Sequence, residues 1–91
     1  MEIENLPDEQ LKALILRKFF RMRAAVKRHI YESDVPKGFP SHLHKQIMKC
    51  CEELYRKGLL KKFPHGEIVW QLNIDKITEI KELILKYYPI E

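Results

Sequence analysis

The sequence predicts a small, mainly α-helical domain that carries one β-hairpin and ends in an additional helix. The 91-residue chain is 45% hydrophobic and 33% charged, a balance typical of a folded domain. Apolar residues recur at helical spacing near residues 8–26, 41–57 and 74–88. Two short β-prone runs within residues 59–72 flank a cluster of turn residues. This length predicts a single domain over residues 1–91.

The first helix is predicted to begin near Pro7, because proline suits the first helical turn. Asp8 and the acidic residue after it suit the positive end of the helix dipole. Apolar side chains then recur as far as Val26. Lys18 lies within the apolar arc, which indicates either a buried stem with an exposed ammonium or a break in the helix. Residues 1–6 are predicted to form a flexible N-terminus.

Residues 29–40 interrupt the helical pattern. Pro36 and Pro40 each push the preceding residue out of helical geometry, and Gly38 between them supplies a flexible turn. A short helix within residues 24–31 stays open, because the periodicity there does not decide it.

The clearest helix is predicted over residues 41–57. Ser41 suits the N-cap, and Gly58 suits the position that ends a helix in the left-handed conformation. The predicted apolar face consists of Leu43, Ile47, Cys50 and Leu54. The opposite face, with His42 beside it, consists of Ser41, Lys45, Lys49, Glu52 and Arg56.

A β-hairpin is predicted over residues 59–72, with its turn at residues 64–67. Alternate residues of the second strand, beginning at Ile68, are predicted to face the core. Asn73 is a predicted N-cap for the C-terminal helix over residues 74–88.

The charge is distributed unevenly along the chain. The 17 Lys and Arg against 13 Asp and Glu give a net charge of +4. Counted by segment, residues 1–9 carry −4, residues 10–51 carry +8 and residues 52–91 carry zero. A basic block of this kind attracts polyanions, chiefly nucleic acid or an anionic membrane face. The alternative is a solvated helix face whose charge serves solubility.

Several classes of protein are excluded. No apolar run approaches the roughly 18 residues of a membrane-spanning helix, so no membrane association is predicted. Residues 1–5 are acidic, unlike the start of a secretory signal. The two cysteines, Cys50 and Cys51, are adjacent and form no disulfide framework, which favours a reducing, cytoplasmic location.

No catalytic or metal site is predicted. His42 and His44 lie two residues apart and diverge on a helix, and the adjacent cysteines point about 100° apart, so these four side chains do not converge on zinc. No acid–base pair, Ser–His pattern or glycine-rich phosphate loop is present. The sequence therefore predicts a binding protein without a cofactor rather than an enzyme.

The segment Leu54–Lys62, LYRKGLLKK, resembles the end of a winged-helix recognition helix and the first strand of its wing. In that family a leucine, polar residues and Lys-Gly-Leu are followed by an aliphatic and then basic residues. Residues 37–43, KGFPSHL, with Gly66 and residues 72–73, resemble small stand-alone winged-helix proteins of archaeal type. The resemblance covers roughly residues 8–73 and implies a winged helix-turn-helix fold with an extra C-terminal helix. The proline-containing connector departs from the family, which has a regular second helix there.

The resemblance implies a double-stranded DNA-binding protein, either a transcriptional regulator or a chromatin-associated factor, with the N-terminal half of helix 41–57 in the major groove. The helix positions that match its contact residues are Ser41, His42, His44, Lys45 and Lys49. The matching wing positions are Lys61, Lys62 and His65. Four arginines would flank this site if the first helix presents them on the same side, namely Arg17, Arg21, Arg23 and Arg28.

Two other functions stay open. The same fold serves as a protein-interaction module within larger complexes, and the same charge suits structured RNA or the ribosome. The helices over residues 8–26 and 74–88 carry more apolar surface than one small core needs, which favours a homodimer through them. The alternative is that these two helices pack against each other within one chain.

Overall fold

The computed structural model describes residues 6–89, and these residues form three α-helices and one three-stranded antiparallel sheet. In chain order the elements are α1 (Asp8–Arg21), β1 (Ile30–Tyr31), α2 (His44–Arg56), β2 (Leu60–His65), β3 (Glu67–Leu72) and α3 (Ile77–Tyr87). Short 3-10 helices lie at Glu32–Asp34, Ser41–Leu43 and Ile74–Lys76. The predicted mainly helical domain with a β-hairpin and a C-terminal helix is confirmed. The predicted flexible segment 1–6 lies outside the described residues, except for Leu6.

The core is enclosed by the helices and one face of the sheet. β3 is the central strand, because β1 pairs with one of its edges and β2 with the other. Ile30 and Lys62 both lie opposite Trp70 in the register, so these three residues share one face of the sheet. Trp70 and Phe19 are fully buried. The indole Nε1 of Trp70 donates a hydrogen bond to Oε1 of Glu32 at 3.1 Å, which satisfies its buried N–H.

The first helix ends at Arg21, so its predicted extension to residue 26 is wrong. The N–H of Ala24 donates to the carbonyl of Phe19 at 2.9 Å, the six-residue closure of a Schellman motif. Arg23 adopts φ 56°, the left-handed conformation that this motif requires and that glycine usually supplies. Val26 is consequently 69% exposed instead of extending the apolar stripe.

The sequence does not predict β1. Ile30 pairs with Trp70, and Tyr31 pairs with Val69. A two-residue strand is too short to show an alternating pattern, and its partners lie far along the chain. The alternative of a short helix within residues 24–31 is therefore wrong.

Lys18 connects α1 to the segment before α2. The helix continues unbroken through Lys18, and its Nζ donates to the carbonyls of Asp34 at 3.0 Å, Val35 at 2.7 Å and Lys37 at 2.6 Å. Burial lowers the pKa of Lys18, while the charge of Asp34 acts in the opposite direction. A regular second helix would pair such carbonyls internally. Here the ammonium group of Lys18 donates hydrogen bonds to them instead.

The start of α2 differs from the prediction. The helix begins at His44 rather than at the start of the predicted range 41–57, because Ser41–Leu43 forms a 3-10 helix. Pro40 occupies the capping position of that 3-10 helix, and no side chain caps it. Ser41 is therefore not the N-cap.

The end of α2 and the start of the C-terminal helix follow the prediction more closely. Gly58 has φ 82°, the left-handed conformation expected after a helix. Asn73 caps the 3-10 helix Ile74–Lys76 through its side-chain oxygen and donates from Nδ2 to the carbonyl of Gly58 at 2.7 Å. The predicted helix 74–88 is this 3-10 helix followed by α3.

The hairpin turn is tighter than the predicted residues 64–67. His65 pairs with Glu67 in the register, which leaves Gly66 alone at the tip with φ 80°. Pro64 lies within β2, and this is tolerated because β2 is an edge strand of the sheet.

Candidate nucleic-acid interface

The outward face of α2 carries exposed cations. Lys45, Lys49 and Arg56 are exposed, and they lie on the side of the helix opposite its buried residues, as the sequence predicts. The buried residues are Leu43, Ile47, Cys50 and Leu54. Arg56 is absent from the positions that the resemblance assigns, since it lies in the second half of the helix, but it shares their face.

The two acidic residues of α2 are paired with lysines of neighbouring elements. Glu53 Oε1 lies 2.8 Å from Nζ of Lys12 on α1. Glu52 Oε2 lies 2.6 Å from Nζ of Lys62 on β2. Each pair lies at one flank of α2, so the side of the helix between them presents positive charge.

The Lys12–Glu53 pair joins a buried ammonium to a partly exposed carboxylate. Burial by itself would lower the pKa of Lys12, but the hydrogen bond and the charge of Glu53 outweigh burial and raise that pKa. The same hydrogen bond, followed by the charge of Lys12, lowers the pKa of Glu53. Both groups are therefore ionised near neutral pH, and the ammonium of Lys12 is occupied by its ion pair with Glu53.

Lys62 is not part of the exposed cation group. Its Nζ lies 4.9 Å from the ring centroid of Tyr55 and 5.2 Å from that of Trp70, in addition to its bond to Glu52. These contacts hold the ammonium between β2 and α2. Lys61 points to the other face of the sheet, since successive residues of a strand alternate.

A group of rings covers the outer face of the sheet. Tyr31 and Phe63 both lie opposite the buried Val69, and they are 38% and 41% exposed. The His65 ring, next to the hairpin turn, lies 5.1 Å from the His29 ring. Sequence reasoning assigned His65 to the wing but missed the other rings, because they come together only through β1.

Arg17 and Arg21 lie on the side of α1 that faces away from Lys12. Lys12 faces α2 through Glu53, and Arg21 is nine residues further on, which at about 3.6 residues per turn is about 180° around α1. Nε of Arg17 donates to the carbonyl of Pro89 at 2.7 Å, beside the end of α3. Both arginines also line a pocket with Phe39, on the connector that leads into α2, so the prediction that they flank helix 41–57 stays a prediction.

Arg23 and Arg28 belong to the loop between α1 and β1. Both side chains are exposed. The carbonyl of Arg28 accepts a hydrogen bond from Nε2 of Gln71 at 3.0 Å, which fixes this part of the loop against β3. Neither arginine lies on α2 or on the hairpin.

The predicted contact residues around the start of α2 differ in their exposure to solvent. Ser41 and His42 are exposed on the 3-10 helix that precedes α2. His44 is half-buried, and its Nε2 lies 2.9 Å from the carbonyl of Phe39. A carbonyl only accepts, so Nε2 carries the proton and His44 is directed toward the connector.

The cysteines are buried and unreactive in character. Burial raises the pKa of Cys50 to about 11 and that of Cys51 to about 12, so both are neutral thiols near pH 7. Among residues 6–89, no group of three or more His, Cys, Asp or Glu side chains is placed to hold a metal ion. No helix in the same range has both the length and the apolar character of a membrane span.

No protein-family model matches this chain, and comparisons with curated proteins and with solved structures find no significant similarity.

Proposed function

We propose that this protein binds double-stranded DNA through the outward face of α2. The observation that carries the proposal is the separation of charge on this helix. Its acids are paired at the flanks, with Lys12 and Lys62, while Lys45 and Lys49 extend into solvent. A helix with such a face suits the major groove and its bordering phosphates.

The expected roles follow from side-chain chemistry. Lys45 and Lys49 bind phosphates or guanine edges, and Arg56 adds a phosphate contact at the far end of the helix. Lys61 and His65 lie on the face of the hairpin away from α2, so the proposed footprint rests on α2 and does not depend on them. A regulator of transcription and a chromatin-associated factor both require this docking, so the proposal covers either role.

The direct experiment is a salt titration of binding to a random-sequence duplex, followed by fluorescence anisotropy. Three phosphate contacts predict that log K falls with log salt at a slope of about −3. Duplex RNA of equal length serves as the competitor. A slope near zero, or tighter binding to the RNA, would reject the proposal in favour of another partner.

A protein-interaction role is the second candidate, and exposed apolar side chains on α3 favour it. Leu85 is 59% exposed and Tyr87 is 37% exposed, at positions about 200° apart around the helix. Most of the apolar surface of α1 is already used within one chain, since Ile15 and Phe19 are fully buried and α1 packs against α3. A homodimer, if formed, would therefore use the outer side of α3 rather than α1. Light scattering at micromolar concentration tests it, and a mass near 11 kDa would exclude the dimer.

A further inference from the structure

A cavity lies where the end of α1, the end of β3 and the start of the C-terminal helix meet. Its volume is about 590 Å³, within the roughly 300–1,000 Å³ range of small-molecule sites. Most of its lining is apolar, contributed by Phe20, Ala25, Leu72, Ile74 and Ile77. The polar lining consists of the arginines Arg21 and Arg23.

Both arginines are available to a ligand. Within residues 6–89, neither guanidinium has a hydrogen-bond or ion-pair partner. Lys81 adds a third cation nearby, with its Nζ 5.8 Å from the ring centroid of Phe20. Asp75 is the neighbouring acid on the adjoining 3-10 helix, and it is not among the residues that line the cavity.

The backbone at Arg23 supplies an independent observation. Arg23 occupies the left-handed position of the Schellman motif, with φ 56°, where glycine would adopt the same conformation without steric strain. A Cβ there is unfavourable for folding, and within residues 6–89 the exposed side chain makes no hydrogen bond or ion pair that would offset the strain. Strain of this kind concentrates at ligand sites. Glycine would relieve this strain, whereas a site for an anion needs arginine. Within residues 6–89 the other non-glycine residue with positive φ is Val26, at 59°, and it does not line the cavity.

We propose that this cavity binds a small amphipathic anion, a carboxylate or sulfonate on an apolar body. The apolar lining takes the body, and the guanidiniums of Arg21 and Arg23 bind the anionic group, a geometry that two arginines can provide with paired hydrogen bonds. This site goes beyond DNA binding and does not depend on it.

The test uses octanoate as the probe and follows backbone amide shifts of the full chain by NMR. Saturable shifts are expected at the cavity residues, with a dissociation constant on the order of 1 mM or tighter for a ligand of this size. Octylamine has the same chain with the opposite charge, and it is expected to bind at least tenfold more weakly. Equal binding of the two probes, or no saturable shift, would overturn the proposal.

Variants at Arg23 separate binding from folding. Arg23→Gly is expected to raise the thermal midpoint by about 4 °C, because the strain is relieved, and to weaken octanoate binding about fivefold. Arg23→Lys keeps the charge and the strain but lacks the paired N–H groups, so it should bind octanoate more weakly than the wild type and more tightly than Arg23→Gly. Arg28→Gly, at an exposed arginine of the same loop outside the cavity, is the control and should leave octanoate binding unchanged. Unaltered octanoate binding by Arg23→Gly would contradict the proposal even if the variant is stabilised.

Discussion

The two helices α1 and α2 carry similar numbers of cations but use them differently. On α1, Lys18 binds three carbonyls, Lys12 binds Glu53 and Arg17 binds the carbonyl of Pro89. On α2, Lys45 and Lys49 extend from the surface. Much of the basic run of α1 therefore supports the fold, while the cations of α2 are available to a partner. A run of charge in a sequence does not distinguish these roles, because the role depends on the groups that tertiary structure places opposite each side chain.

The largest expected effect comes from removing the ammonium of Lys18. Lys18→Met keeps the apolar stem but removes the donor to the carbonyls of Val35 and Lys37, while the carbonyl of Asp34 still accepts from the N–H of Lys37, so we expect a loss of about 2 kcal/mol in the free energy of unfolding. Lys45→Met on α2 is the matched control and should change this free energy by less than about 0.5 kcal/mol. Urea denaturation measures both. Equal losses for the two variants would contradict the conclusion that the Lys18 ammonium stabilises the fold and that the Lys45 ammonium does not.

The ends of α1 and α2 sharpen the comparison, because both helices close through a left-handed residue. At Gly58 a Cβ would meet no atom within 4 Å, so Gly58→Ala is destabilising through backbone strain alone, by about 1 kcal/mol. Arg23→Ala exchanges one strained side chain for another and should be nearly neutral. Urea denaturation compares the two variants. A loss at Arg23→Ala as large as that at Gly58→Ala would mean that the arginine side chain itself stabilises the fold.

The contact between the two helices predicts a dependence of stability on pH. The pKa of Glu53 is lowered in the folded protein by its bond to Lys12, so the contribution of the pair is present above about pH 4.3, the unfolded value, and is lost as pH falls through the folded pKa. Glu53→Gln should therefore lose less stability than the wild type on acidification. Glu82→Gln, an exposed change on α3, should follow the wild-type profile. If the free energy of unfolding of Glu53→Gln fell with pH as steeply as that of the wild type, the result would contradict a contribution of the Lys12–Glu53 pair to stability.

Much of the architecture could be predicted from the sequence. The apolar face of α2, its end at Gly58 and the cap at Asn73 depend on local spacing and on single-residue preferences, which a sequence displays directly. The end of α1 could not be predicted, because Arg23 adopts a conformation that its residue type disfavours. β1 could not be predicted either, since its pairing joins Ile30 to a residue far along the chain.

The candidate site was predictable to a smaller extent. The exposed positions of Lys45 and Lys49 follow from the helical period alone. The pairing of Lys62 with Glu52 depends on how the hairpin packs against α2, and no local pattern specifies it. The placement of Arg21 likewise depends on which side of α1 contacts α2.

The most direct test of the central claim compares two double variants that each remove two positive charges. Lys45→Ala with Lys49→Ala removes cations from α2, and Arg17→Ala with Arg21→Ala removes them from the far side of α1. Binding to a random duplex is measured by anisotropy across a range of salt concentrations, after circular dichroism confirms that both variants are folded. We expect the α2 variant to lose about tenfold or more in affinity and about two units of salt slope, while the α1 variant stays within about threefold of the wild type. Equal losses in the two variants, or a larger loss in the α1 variant, would contradict the assignment of DNA binding to α2.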